Sequence, residues 1–340
     1  MKARLFIVFV FAIGLALLLA WTVAAQDAEM TADIQSASHI VSANRTEPRS
    51  DHQNAIGLGY TSDITFTPAF TVFLPLIQSN KGGRIVFACG WAICVMNENG
   101  TGLVKLTSDS IIADQPDWSP NGQLIAFTVS VGGNWEIYVM NADGTGLTRL
   151  TNSIGADAHP RWSADGARIV FVSERNGNPD IYLMNADGTN QVNLTNNPAS
   201  DSDPSWSPSG TQIAFASDRS GQQEIYVMNT DGAGVSKLTD NPSWDGEVAW
   251  SPDGNQMVFA SYRAGNQEIY VMNTNGTNVV RLTYNSVWDG QPAWAPDGNH
   301  IAFASLRNNK QDIYVMKSDG TGEVNLTNGQ FYARWPDWTR

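Results

Sequence analysis

A tryptophan recurs in this chain at a fixed step of 44 residues, as Trp118, Trp162, Trp206, Trp250, Trp294 and Trp338. Three other series keep the same step: Met96 to Met316, Leu106 to Leu326 and Gly100 to Gly320. An internal period of about 40–45 residues, with units that read as strands and tight turns, marks a β-propeller. The period also aligns the chain with itself. Residues shared by all units serve the scaffold, and departures from the pattern are where function is sought.

One unit, 201–240, reads as four antiparallel strands. Pro204-Ser205-Trp206 opens the first, and Ser207-Pro208-Ser209-Gly210 is a turn in which proline supplies the fixed φ. Gln212 to Ala216 is the second strand and Glu224 to Asn229 the third. Asp231-Gly232 starts another tight turn, and Val235 to Thr239 forms the outer strand. The second and third strands are apolar on both faces, as sheets sandwiched between sheets require.

The phase of the repeat predicts how the ring closes. The last unit supplies only an inner strand, 333–338, whereas the first has strands two to four and no inner strand. The C-terminal strand should therefore complete the first blade, leaving no open sheet edge. The expected fold is all-β, a propeller of six four-stranded blades over residues 83–340.

Two segments precede it. Lys2 and Arg4 lead into an apolar run from Leu5 to Trp21, followed by Val23-Ala24-Ala25. This reads as a signal peptide, residues 1–25, or, given its length, as an N-terminal membrane anchor. Residues 26–82 show no 44-residue register and read as a linker or tail. Its apolar stretch Phe70 to Ile77 is a candidate extra strand on the propeller. The expected location is periplasmic or extracellular. The net charge of −13 argues against nucleic acid and anionic membrane surfaces as partners.

Trp-Ser-Pro-Asp-Gly at Trp250–Gly254, then Met257 to Ala260, then Glu268 to Asn273, resembles the TolB-like (WD40-like, PD40) propeller repeat. The resemblance covers 83–340 and implies a six-bladed propeller in an exported bacterial protein. TolB itself carries an α/β domain ahead of its propeller and acts with a lipoprotein partner in envelope integrity. Here a short tail stands in that place, so the resemblance carries the fold further than it carries the partners.

No nucleophile elbow, zinc helix or phosphate loop is present, and only His159 and His300 fall within the propeller. Cys89 and Cys94 lie on opposite arms of a hairpin four residues shorter than its equivalents, and a disulfide is expected. Arg175, Arg219, Arg263 and Arg307 recur between strands two and three, and are read as pairing across the hairpin with Asp180, Glu224, Glu268 and Asp312. Asn-x-Thr triplets at Asn99, Asn193, Asn275 and Asn325 are read as structural.

Chain direction sorts the loops onto two faces of the disc. The Ser-Pro-Asp-Gly and Asp-Gly turns form a uniform turn face. The loops leading into the tryptophan strands, and those after strand two, form a variable face, where binding usually resides. There Asp157, Asp201, Asp245 and Asp289 hold the 44-residue step, with His159, Asp203 and Glu247 nearby. Trp244, Trp288, Tyr332 and Trp335 add aromatics that stand outside the repeat pattern, with Tyr284 and Phe331 beside them. The in-register aspartates either cap turns at the strand entry or, with the aromatics, form an acidic, aromatic-rimmed channel mouth. Asp201, Asp245 and Asp289 are the candidate ligands of a divalent cation such as calcium, and no organic cofactor is expected. The favoured reading is a monomeric, non-enzymatic scaffold binding a protein or glycan of the envelope or extracellular space. The alternative is an extracellular polysaccharide lyase or hydrolase using the carboxylate ring, with or without a metal.

Overall fold

A computed structural model describes residues 83–339. The signal segment, the linker and the Phe70–Ile77 stretch lie outside the described residues. The described part is all strand and turn, arranged as six four-stranded antiparallel sheets. The innermost strands are Ala333–Trp338, Ala113–Trp118, Asp157–Trp162, Asp201–Trp206, Asp245–Trp250 and Asp289–Trp294, for blades one to six. Each blade adds two longer strands and an outer strand of only two residues, such as Ser236–Lys237 in blade four. That outer strand is shorter than the sequence reading over Val235 to Thr239.

Closure follows the predicted phase. Ala333–Trp338 pairs antiparallel with Arg84–Cys89, so the first blade is built from both ends of the described chain. Thr339 N–H donates to Arg84 O at 2.9 Å and seals the seam.

The second strands bury both faces, with Ile213, Ala214, Phe215 and Ala216 all at 0% exposure in blade four. Each tryptophan of the 44-residue series joins a cluster shared with the preceding blade. Trp206, Ile213, Phe215 and Met228 of blade four, for example, pack on Val170, Val172 and Ile181 of blade three. The methionine series lies directly opposite isoleucine or methionine in the second strand, as in Ile213↔Met228 and Met257↔Met272.

The glycine and leucine series explain each other. Gly188 has φ +85°, and a Cβ there would lie 2.7 Å from Leu150 O of the preceding blade. Glycine is needed both for the backbone conformation and for close blade-to-blade approach.

Each innermost strand carries a bulge. In blade four the register slips between Ser202 and Ser205, leaving Asp203 and Pro204 out of the ladder. Proline has no N–H to contribute, so a bulge is where an interior strand tolerates it. The residue ahead of the proline, or of Val248 in blade five, takes positive φ in all six blades, at Gln115, His159, Asp203, Glu247, Gln291 and Trp335.

Cys89 and Cys94 form a disulfide, with a Cα–Cα distance of 5.8 Å. They are diagonal rather than opposite, since Cys89 faces Ala92 and Cys94 faces Phe87. Cys89→Ala with Cys94→Ala should lower stability by roughly 2 kcal/mol, as expected for so small a loop. Equilibrium urea unfolding of the reduced and oxidised proteins measures this. Equal stability would remove the clamp from the account of blade one.

Candidate functional site

The structure separates the predicted mouth residues into three groups. The first is buried. Asp157, Asp201, Asp245 and Asp289 are all at 0% exposure, at the start of the innermost strands, and they do not line a channel. Each is paired with an arginine: Arg175 with Asp157 (3.0 Å), Arg219 with Asp201 (3.0 Å), Arg263 with Asp245 (2.6 Å) and Arg307 with Asp289 (2.8 Å). The arginine partners are therefore these aspartates, not the expected Asp180, Glu224, Glu268 and Asp312. In blades three to five the arginine Nε also donates to a serine hydroxyl, at 2.7 Å for Arg175 and Ser173. Its guanidinium lies over a phenylalanine and a tyrosine, as Arg219 does over Phe215 and Tyr226, both at 5.0 Å. Asp180, Glu224, Glu268 and Asp312 instead accept from threonine hydroxyls, as in Thr327 to Asp312 at 2.7 Å.

Asp201, Asp245 and Asp289, the candidate calcium ligands, thus each meet an arginine instead of one another. Each carboxylate is neutralised within its own blade, and no three are brought together. Among the described residues, no three His, Cys, Asp or Glu side chains are grouped to hold a metal ion.

The second group is the ring made by the six bulges. Four of its six side chains, Gln115, Asp203, Glu247 and Gln291, point along the circle and accept from the backbone N–H of the next bulge. Gln115 Oε1 accepts from His159 N–H (3.1 Å), and Asp203 Oδ2 from Glu247 N–H (3.3 Å). Glu247 Oε2 accepts from Gln291 N–H (2.6 Å), and Gln291 Oε1 from Trp335 N–H (2.9 Å). Gln115 Nε2 lies 2.7 Å from His159 Nε2. His159 Nδ1 lies 3.3 Å from Asp203 Oδ1 without an aligned hydrogen bond. His159 packs edge-on against Trp335, with centroids 4.7 Å apart, reaching past blade two and constricting the bore. Trp335 is thus in step with His159, contrary to the sequence reading.

The ring perturbs two titrations. Burial pushes the Glu247 carboxyl up to about 8, and the adjacent Asp203 charge adds to this against hydrogen bonds from Gln291 and Gln267. Burial lowers the His159 imidazole, with Asp203 opposing, so the ring holds it neutral.

The third group is an aromatic arc on the variable face, over blades five, six and one. Trp244 and Trp288 lie half-buried over Gly246 and Gly290, where a Cβ would come 2.5 Å from each indole. Trp244 Nε1 donates to Gln223 Oε1 at 2.5 Å and its ring meets Tyr262 edge-on. Tyr284, Tyr332 and Trp91 are more than half exposed, each beneath a cation from Arg281, Lys310 or Arg334. Trp244, Trp288 and Tyr332 keep the 44-residue step among themselves, so these too belong to a register. The sequence reading did not single out Tyr262, Trp91, Gln115 or Gln291. The register of His159 points to the two glutamines. Nothing in the sequence pattern points to Trp91, whose hairpin is the short one.

Between the ring and the turn face the bore opens into a cavity of about 400 Å³, lined by Asp117, Arg161, Asp203, Glu247, Gln291 and Trp335 among others.

A family model described as the TolB beta propeller domain (PD40) matches residues 91–203 and 189–339. TolB from Acinetobacter baumannii is similar in structure, with TM-score 0.67 and 25% identity over 76% of this chain and 66% of that one. A putative TolB from Agrobacterium tumefaciens gives TM-score 0.62 and 20% identity over 76% and 99%. An oligogalacturonate lyase with manganese shares the fold at TM-score 0.50 and 13% identity, over 72% of this chain and 73% of that one. No curated protein matches in sequence.

Two predictions follow from the charges. Asp201→Ala leaves the partly buried Arg219 without its partner and should cost about 1–3 kcal/mol. Asp201→Ala, Ser217→Val and Arg219→Val together copy Ala113, Val129 and Val131 of blade two and should cost clearly less. Urea unfolding compares them, and equal or additive losses would reject the pairing. Glu247 retains a proton in the folded state that the unfolded chain, at its ordinary 4.5, gives up. Stability should therefore fall as pH rises from about 4.5 to about 8. Glu247→Gln should flatten that part of a melting-temperature profile.

Proposed function

Because this chain belongs to the TolB β-propeller family, we propose that it is an exported, non-enzymatic scaffold that binds a protein partner through the aromatic arc of its variable face. The observation that carries the reading is the run of accessible aromatics over three neighbouring blades: Tyr262, Tyr284, Tyr332 and Trp91, exposed at 45–72%, around the half-buried Trp244 and Trp288. Aromatic side chains are enriched where proteins meet, because a rigid ring covers much area at little entropic cost. Exposed aromatics clustered on one face are otherwise unfavourable in a protein that stays alone. The adjoining Arg281, Lys310 and Arg334 hold three of the rings in fixed orientations.

The disulfide supports export, since thiols stay reduced in the cytosol. The lyase alternative draws less from the geometry, because Asp157, Asp201, Asp245 and Asp289 are each paired with an arginine inside their own blade.

The test is capture of a partner from an envelope fraction of the source cells by the immobilised propeller, with the partner then purified and titrated. Trp244→Ala, Trp288→Ala and Tyr332→Ala combined should weaken that titrated affinity by at least about 2 kcal/mol, the scale of interface hot spots. The melting temperature should change little. Undiminished affinity in the folded triple variant would place the interface elsewhere.

A further inference from the structure

The aromatic arc does not end at Trp91. Backbone hydrogen bonds lead from it into blade two. Gly90 N–H donates to Tyr332 O at 2.7 Å, Ala113 N–H to Trp91 O at 2.8 Å, and Ser130 N–H to Ile112 O at 2.9 Å. Ile112 and Val131, at the end of that path, are exposed aliphatic side chains. Ile112 holds the register position of Trp244, Trp288 and Tyr332, which in blades three and four is Ala156 and Ser200.

The path continues to blade three. Asn134, opposite Val131 in the hairpin, donates through Nδ2 to Ser153 O at 2.9 Å and to Gly155 O at 3.4 Å. Ser153 N–H donates to Glu136 Oε1 at 3.1 Å, and a Cβ on Gly155 would come 2.5 Å from Arg175 N. Between these fixed points stands Ile154, 97% exposed. The loop is bonded on both sides of this side chain and holds it out in water. Burying an isoleucine in a partner's pocket is worth roughly tenfold or more in affinity.

The face also has an acidic side. Ser130, Glu174, Asp218, Tyr262 and Leu306 share one register position at the hairpin between strands two and three. Where the arc has Tyr262 and Leu306, blades three and four have exposed Glu174 and Asp218. The arginines that follow them, Arg175 and Arg219, are taken by Asp157 and Asp201. Among the described residues, neither Glu174 nor Asp218 is paired with a cation. Asp218 Oδ1 accepts from Ser200 N–H at 2.9 Å, which fixes the carboxylate and leaves its charge uncompensated.

We propose that the partner of this face is a basic amphipathic protein segment. Its apolar side runs from the aromatic arc over Ile112 and Val131 to Ile154, and its lysines or arginines meet Glu174 and Asp218. The proposal rests on the arc as the binding surface and adds the chemistry of what is bound there. A continuous apolar surface needs an apolar counterpart, and uncompensated acids at its margin select a basic one. The same acids repel an anionic membrane surface.

Fluorescence anisotropy with two labelled helical peptides tests this on the folded propeller, at about 150 mM salt to screen loose attraction. Both peptides have one leucine face; the other face is lysine in one and glutamate in its counterpart. The expected result is saturable one-to-one binding of the lysine peptide, with the glutamate peptide at least about tenfold weaker. Ile154→Ser should weaken the lysine peptide at least about tenfold and leave the melting temperature unchanged. Glu174→Gln with Asp218→Asn should weaken it about three- to tenfold, and the gap should close as salt rises. Asp187→Asn with Asp231→Asn removes the same charge from the turn face, at a register position where Asn99 and Asn275 already stand. That control should change affinity by less than about twofold. No binding of the lysine peptide up to about 1 mM overturns the proposal, as does equal binding of both peptides. An equal loss in the turn-face control overturns it too, because the attraction would then be to net charge alone. Association with phosphatidylcholine vesicles that Ile154→Ser abolishes, without affinity for the peptide, would put a bilayer in the segment's place and overturn it. The Trp244→Ala, Trp288→Ala, Tyr332→Ala variant separates this proposal from the reading beneath it. If that variant loses the peptide while Ile154→Ser and the acid pair variant keep it, the arc stands and the basic segment fails. If it keeps the peptide and the captured partner at full affinity, the arc fails and takes this proposal with it.

Discussion

Every blade of this protein has two apolar faces and can bury neither by itself. The second strands, with residues such as Phe215 and Phe259 fully enclosed, are tolerable only when another sheet lies on each side. That constraint makes the ring compulsory, and an array left open would expose a full apolar sheet at each end. The shared seam of blade one is how the chain meets it, with Ile85 opposite Trp338 in the ladder and Thr339 N–H donating to Arg84 O beside them. The interdigitating tryptophans, the glycines pressed on preceding leucines and the bulge ring all serve blade-to-blade contact.

The scaffold was legible in the sequence because it is repeated. Trp206 and Gly232 have the same work in every unit, and repetition makes such residues visible without coordinates. Pairing across space was not legible. Asp201 lies at the same repeat step as other aspartates whether it caps a turn, holds a cation or answers Arg219. Only the fold shows that strand one begins beside the loop after strand two. One clue was nonetheless present. Blades two and one have Ala113 and Ala333 at the aspartate position, and Val131 and Trp91 at the arginine position, so the two charges come and go together.

The same spot is stabilised in three ways round the ring. Four blades use the aspartate–arginine pair over two aromatic rings. Blade two extends both strands to Val131 and Asn134 and packs Val129 where the others have serine. Blade one places Cys89 at the serine position and Cys94 at the tyrosine position and links them covalently. Burying an ion pair is not intrinsically more stabilising than a well-packed apolar alternative. That the charged and apolar versions coexist in one molecule fits that equivalence. The covalent version is placed in the blade whose strands come from opposite ends of the described chain.

The seam also means that the disc has a cyclic order but no intrinsic beginning. Arg84 and Thr339 are hydrogen-bonded neighbours, and in every other blade the turn between strands one and two spans the equivalent gap, as where Ser119 N–H donates to Leu124 O at 2.9 Å. Where the polypeptide starts is thus a choice the architecture leaves free. Joining residue 339 to residue 83 and opening the chain at the turn between strands one and two of another blade would preserve all six sheets. Only the sheet assembled from two distant stretches of sequence, and so the last step of ring formation, would move to another blade.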